Sequence, residues 1–208
     1  FLGLGILLPF ICLVSWTFSG LRHGVNFAPV LGPAIDTVVL SVIAGFVVLV
    51  VAVVPSWFAA RSAPQRSRFV EGAIYLTSSV PGVLIAVGLL QLILGLKRHA
   101  PATIGDTSLW QMMEGAGLFL LLAYLMRFLS QAYAGLKPAM LRLDNTHEEA
   151  AKSLGASPWQ IFKTISVPAI MPGIAVGYML VFLSIAKELP ITLMLLPLNH
   201  STLAYRIF

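Results

Sequence analysis

The sequence predicts an all-α, multi-pass transmembrane helical bundle, and three observations carry that prediction. Of 208 residues, 58% are hydrophobic and only 10% charged, whereas soluble chains are about 45–50% apolar and about 25% charged. So few charges cannot cover a water-facing surface, and the same composition excludes a disordered chain. Apolar runs extend for about 20 residues without a charge, the length a helix needs to cross ~30 Å of hydrocarbon. The runs show no strict apolar/polar alternation, which argues against a membrane barrel.

Taken in order, residues 1–21 carry no charge. No basic segment precedes them and no small-residue cleavage site follows, so they read as a span and not as a signal-peptide core. Further charge-free runs are 37–60, between Asp36 and Arg61, and 72–96, between Glu71 and Lys97. The fourth expected span, 107–126, contains only Glu114, and the fifth, 164–186, lies between Lys163 and Lys187. A sixth apolar stretch, 189–205, is interrupted by Pro190 and Pro197 and reads as a broken or re-entrant piece. About five spans are therefore expected. Phe1 in first place and a polar stretch cut at Phe208 predict a piece of a longer protein whose last span is missing.

Charge sets the expected orientation. Loop 61–69 holds Arg61, Arg66 and Arg68, and the segment 127–163 holds Arg127, Lys137, Arg142, Lys152 and Lys163. These eight basic residues face three, Arg22, Lys97 and Arg98, on the other side, with Lys187 and Arg206 left out as near-membrane cases. The bias places 61–69 and 127–163 in the cytoplasm and residues near 200 outside. The net charge of +5 is thus a membrane-topology charge, and nucleic acid is not expected as a partner. Cys12 is the single cysteine, which excludes an internal disulfide framework and a cysteine-built metal site. His23, His99, His147 and His200 fall in four different loops without ligand spacing, so no metal site is expected. Glu71 and Glu114 read as interface charges, Asp36 as a helix-start charge, and Trp16, Trp57 and Trp110 as belt residues near span ends. Thr77, Ser78 and Ser79 are candidates for hydrogen bonds between helices. The charge-free spans offer no converging acid, base and nucleophile, so an intramembrane enzyme is disfavoured and no catalytic residue is expected. A secondary transporter would place ionisable groups at mid-membrane; here the charges gather in one loop.

That loop reads LDNTHEEAAKSLGASPWQIFKTISVPAIMPG. Thr146 followed three residues later by Glu149 makes a capping box. Glu148 and Glu149 favour the dipole of the first turn, and Ala150, Ala151, Lys152 and Leu154 form helix well. Gly155 sits where a left-handed terminating residue belongs. Ser157 caps the next helix, with Pro158 at its first position. Two short helices are expected to meet at Gly155 in a sharp turn.

The spacing Glu149-Ala150-Ala151, three residues, Gly155, nine residues, Ile165-Ser166-Val167-Pro168 resembles the EAA motif of ABC importer permeases, with Val167 in place of the family's Leu. The resemblance covers roughly residues 32–208 and implies the type I importer permease fold, with residues 1–31 as an N-terminal helix and outer loop. It implies a cytoplasmic coupling loop over about 137–168 that docks into a cleft on an ATPase subunit. Glu149 would supply polar contacts, with Glu148 beside it among the coupling residues, Ala150 and Ala151 the close-packed face, and Gly155 the bend; Ile165 and Pro168 complete the motif, Pro168 at the entry to the fifth span. The chain has no GxxxxGK[ST] phosphate loop, so ATP belongs on that partner and no cofactor is expected here. The other implied partners are an extracytoplasmic substrate-binding protein, a second permease half and the bilayer of a bacterial inner membrane.

At the far end of the fifth span, AKELPITLMLLP followed by STLA is similar to the KELPATLLLRP…TLA segment of iron(III) importer permeases, with Ile191 and Leu196 replacing the family's Ala and Arg. Charges near hydrocarbon suggest a pathway or a closed pair, and Pro190 frees carbonyls that must face protein or water. Lys187, Glu188, Pro190 and Thr192 are therefore candidate pathway or gate residues, and ferric iron is the expected cargo. Thiamine, polyamines and oxyanions are carried by related permeases of the same fold and remain alternatives.

Overall fold

The computed structural model describes residues 2–22, 28–99, 117–143 and 145–196, and every regular element among them is helical. Two long helices open the chain, α1 (Leu2–Arg22) and α2 (Ala28–Arg61). A second pair, α3 (Pro64–Ser79) and α4 (Gly82–His99), is bent by 88° at the break between its members. Next come α5 (Leu118–Leu141) and the short α6 (Asn145–Ser153). Finally α7 (Pro158–Ile161) runs through a wide π turn (Phe162–Ser166) into α8 (Val167–Ala186), and α9 (Pro190–Leu195) follows. Among the described residues, three helical segments are long and apolar enough to cross a membrane: Leu31–Arg61, Leu118–Leu141 and Pro158–Ala186. The bent pair passes the same test as a unit, and α1 contributes the shorter apolar stretch Leu7–Gly20.

Helices α2, α5 and α8 form the centre, each packed on the other two. Ala44, Val48 and Ala52 of α2 meet Leu120, Tyr124, Phe128 and Leu136 of α5, and Val181 and Ile185 of α8, in one buried cluster. Because lipid tails are as apolar as leucine, such helices associate through close packing and interhelical polar contacts. Here small residues set the distance. A Cβ on Gly135 would stand 2.5 Å from the Cα of Gly177, and one on Gly177 would stand 3.0 Å from the carbonyl oxygen of Ala132. The outer faces carry large apolar side chains such as Phe46, Val54 and Leu183, as a lipid-facing surface requires.

Three expected boundaries move. The run 72–96 is not one straight helix: Val80 is extended (φ −77°, ψ 127°), because Pro81 disfavours helical geometry in the preceding residue and has no N–H to donate. The fourth span does not stop before Arg127. Helix α5 continues to Leu141, since its two cations find partners inside the bundle. Lys137 Nζ bonds the Glu71 carboxylate of α3 at 2.8 Å, and Arg127 bonds carbonyl oxygens of the bent pair. Arg127 and Lys137 are therefore span residues, and the loop that follows begins near Arg142. Thr77, Ser78 and Ser79 bond carbonyls of their own helix (Ile74 and Tyr75), not neighbouring helices. The fifth helical segment starts early, at Pro158. A proline ring at 168 would crowd the carbonyl of residue 164 in a regular α-helix, and the π turn, closed by Val167 N–H on Phe162 O, widens the backbone there. Residues 107–116, with Trp110 and Glu114, and 197–205, with His200, lie outside the described residues, as does His23.

Candidate functional site

Two places draw chemistry together, one at each end of the bundle. The first is the hairpin of α6 and α7. Helix α6 opens at Asn145, so Thr146 falls within its first turn and not at its cap. It ends in a full Schellman turn: Gly155 N–H bonds Lys152 O and Ala156 N–H bonds Ala151 O, each at 3.0 Å, with Gly155 at φ +83°. The next helix begins with a reciprocal capping box. Gln160 N–H donates to Ser157 Oγ at 3.3 Å and Ser157 N–H to Gln160 Oε1 at 2.8 Å. These local bonds fix the bend without any help from the bundle.

The two glutamates of α6 part company. Glu149 is exposed with Ala150 and Gly155, while Ala151 is half-buried. Glu148 is buried and points inward. Arg61 Nη2 donates to both of its oxygens at 2.8 Å, and Ser166 Oγ donates to Oε1 at 2.9 Å. Burial opposes ionisation of this carboxyl, but the Arg61 and Ser166 hydrogen bonds and the Arg61 charge outweigh it and hold its pKa below the usual value. Ile165 is half-buried and Pro168 exposed. The hairpin's open face also carries apolar groups beyond the motif residues: Leu154 is 89% exposed, and Trp159, 69% exposed, stacks on Phe162. Their signal was present, since large apolar residues flanking a glycine bend in a polar loop have no core to join. In the sequence Arg61 has no signal beyond that of a topology charge.

The second place is where two helix breaks meet, α3/α4 and α8/α9. Arg127 Nη1 donates to Ser78 O at 2.7 Å and to Val80 O at 2.9 Å. Both carbonyls lose a helical partner at the bend. The guanidinium thus closes the carboxyl end of α3, where the helix dipole is negative. Glu188, half-buried, brings Oε1 against Gly82 at the start of α4, close enough that a Cβ on Gly82 would lie 2.9 Å from it. The same oxygen accepts Ile191 N–H at 3.5 Å. Thr192 is buried and donates to Glu188 O at 2.8 Å; its remaining contact, 2.5 Å to Tyr124 Oη, therefore has the tyrosine as donor. Pro190 opens α9, and Lys187 is exposed. Among the described residues the ion pairs are Arg61–Glu148 and Lys137–Glu71, so Lys187 and Glu188 do not close on each other. No group of three His, Cys, Asp or Glu among the described residues could hold a metal ion. Tyr124, Arg127 and Gly82 were not expected here.

The sequence profile of the family described as binding-protein-dependent transport system inner membrane component matches residues 51–205, which include the hairpin. The chain is 28% identical over 207 residues, 99% of its length, to the Fe(3+)-transport system permease protein FbpB 2 of Haemophilus influenzae, and spans 38% of that protein. It is 26% identical over 192 residues to a protein of Salmonella typhimurium provisionally named as the 2-aminoethylphosphonate transport system permease protein PhnV, covering 90% of this chain and 67% of that one. A shorter match, 41% over 63 residues, covers 30% of this chain and 21% of the maltose/maltodextrin transport system permease protein MalG of Vibrio vulnificus.

Proposed function

The chain belongs to the family of binding-protein-dependent transport system inner membrane components, a family of transport permeases and not of enzymes, and from that premise we propose that it forms the membrane pathway of an ATP-driven importer, in the inner membrane, whose energy comes from separate ATP-binding subunits. The observation that carries this reading is the hairpin: a sharply turned pair of helices, rigid by its own caps, whose Glu149, Ala150, Leu154 and Trp159 are exposed among the described residues. Such a face suits a protein surface. Closure of two ATPase subunits on ATP would draw the hairpins of two permease halves together and rock the spans as rigid bodies. A substrate-binding protein would deliver cargo at the opposite end, where Lys187, Glu188, Pro190 and Thr192 line the junction of the two breaks.

Ferric iron is the cargo we favour. The similarity over 99% of the chain to a permease named for Fe(3+) supports it, as does the Lys187–Pro190 segment. The relatives named for 2-aminoethylphosphonate and for maltodextrin show that the family as a whole does not select iron. The test is uptake into vesicles that hold the chain within its complete transporter. ATP-dependent accumulation of radioactive ferric iron, not competed by 2-aminoethylphosphonate or maltodextrin, is expected. Uptake that follows a proton gradient without ATP would instead identify a secondary transporter.

A further inference from the structure

We propose that Arg61 and Ser166, acting through the buried carboxylate of Glu148, are the positioning residues that pass hairpin movement into spans α2 and α8. The inference rests on the hairpin being an ATPase dock and adds what lies behind the dock. Three elements meet at one side chain. Arg61 is the last residue of α2, Glu148 lies in the first turn of α6, and Ser166 is the last residue of the π turn that leads into α8. Helix α6 packs on α7 and on that π turn, so its polar link to α2 runs through the Arg61–Glu148 pair.

The link is stiff at both ends. The Glu148 side chain is 8% exposed and accepts three hydrogen bonds of 2.8–2.9 Å. The Arg61 guanidinium carbon lies 3.8 Å above the ring centroid of Trp57, one turn back on the same helix, so a pull on Arg61 acts on α2 as a body. Glu148 is buried and bonded within the chain while Glu149 and Ala150 are exposed, so a change of Glu148 leaves the exposed docking residues in place. A contact residue for the ATPase would sit on the open face; this one is spent inside the chain.

The experiment uses the complete transporter with its ATPase and binding protein. Three quantities are read: ATPase subunits retained on purification, ATP hydrolysis, and substrate taken up per ATP hydrolysed. For Glu148→Gln, ATPase retention within about twofold of the unaltered protein and a drop of about tenfold or more in uptake per ATP are expected. The exchange variant R61E/E148R should recover part of what either single change loses. Loss of ATPase in step with loss of uptake would make Glu148 a docking or folding residue and overturn the proposal; so would unchanged uptake per ATP. Should Glu148→Gln fail to insert, Arg61→Lys and Ser166→Ala, which keep the carboxylate and one of its partners, are expected to lower uptake per ATP with ATPase retained, and no change in either overturns the proposal. If the unaltered chain itself retains no ATP-binding subunit, the functional reading fails first, independently of these variants.

Discussion

The two ends of the bundle solve the same problem with different materials. At each, a helix is broken and its freed backbone groups need partners. At the hairpin the partners are neighbours: Gly155 and Ala156 reach back three and five residues, and Ser157 and Gln160 cap each other. At the junction of the two breaks Glu188 serves its own turn, but the freed carbonyls of Ser78 and Val80 are met from far along the chain by Arg127, and a side-chain bond from Tyr124 to Thr192 ties α5 to α9, across separations of 47 to 68 residues. The hairpin is therefore a self-sufficient unit that shows its open face outward, whereas the junction exists only while α3, α4, α5 and α9 are assembled. Between them lies the crossing of α5 and α8, where glycine lets backbones touch. That crossing holds together the bundle on which the junction forms and to which the hairpin is attached.

The largest effect should come from that crossing. Gly177→Leu puts a side chain where α5 backbone already stands, with Ala132 O 3.0 Å from the first added carbon. Neither backbone can yield as a flexible side chain would, so overpacking here exceeds the usual ~1–3 kcal/mol. Loss of the folded protein from the membrane, measured as detergent-extractable monodisperse chain, is expected. If Gly177→Leu accumulates normally and transports, the two ends do not depend on this contact.

Arg127→Met comes next. It keeps the volume but strips both carbonyls at the bend of their donor, at about 1–3 kcal/mol for each group left unsatisfied, offset in part by no longer holding a cation in the membrane. A net loss of about 2 kcal/mol is expected in reversible unfolding from detergent. Spin labels on α3 and α4 should report a broader distribution of bend angles. A sharp, unchanged distribution would mean that Pro81 alone holds the bend.

Gly155→Pro should act on the hairpin alone. Proline cannot adopt φ +83° and has no N–H for Lys152 O. Because the caps are local, the bundle should insert and unfold much as before, within about 1 kcal/mol. Retention of the ATP-binding subunits should be lost. A variant that keeps them would detach the bend from docking, and one that fails to insert would show that the hairpin is not the independent unit its hydrogen bonds describe.

The contrast also explains what could be read from the residues alone. Helical class, the Gly155 turn and the Ser157 cap were legible because each depends on groups within five residues or on composition. The extent of α5 was not: a charge-free criterion stops at Arg127, and only the fold shows that Glu71 pairs with Lys137 and that two bend carbonyls accept hydrogen bonds from Arg127. Nor could sequence separate Glu148 from Glu149. Adjacent residues on a helix point about 100° apart, and which one faces inward depends on where Arg61 lies, 87 residues earlier. The run 72–96 reads as one span because a proline in an apolar run is also compatible with a mild kink; the 88° turn goes with contacts from Arg127 and Glu188, which lie far along the chain.

The smallest effect expected is that of pH, and its direction separates the ends again. Glu148 is held below its usual carboxyl value of 4.5. A group depressed in the folded state stabilises that state fully above its unfolded pKa, and the contribution fades as pH falls through the lowered folded value. Anchoring of α6 should therefore be flat from about pH 8 to about pH 5 and weaken only in more acidic solution. Hydrogen exchange of the α6 amides, corrected for the intrinsic rate, reads this directly. Constant protection across the neutral range is expected, with loosening below it that outruns any change at the Schellman turn, whose bonds are between uncharged backbone groups. Protection that already declines near pH 6 would mean that the carboxylate is less well held than its three hydrogen bonds imply, and the hairpin would then owe its attachment to apolar contacts such as the buried Ile161 and not to Arg61.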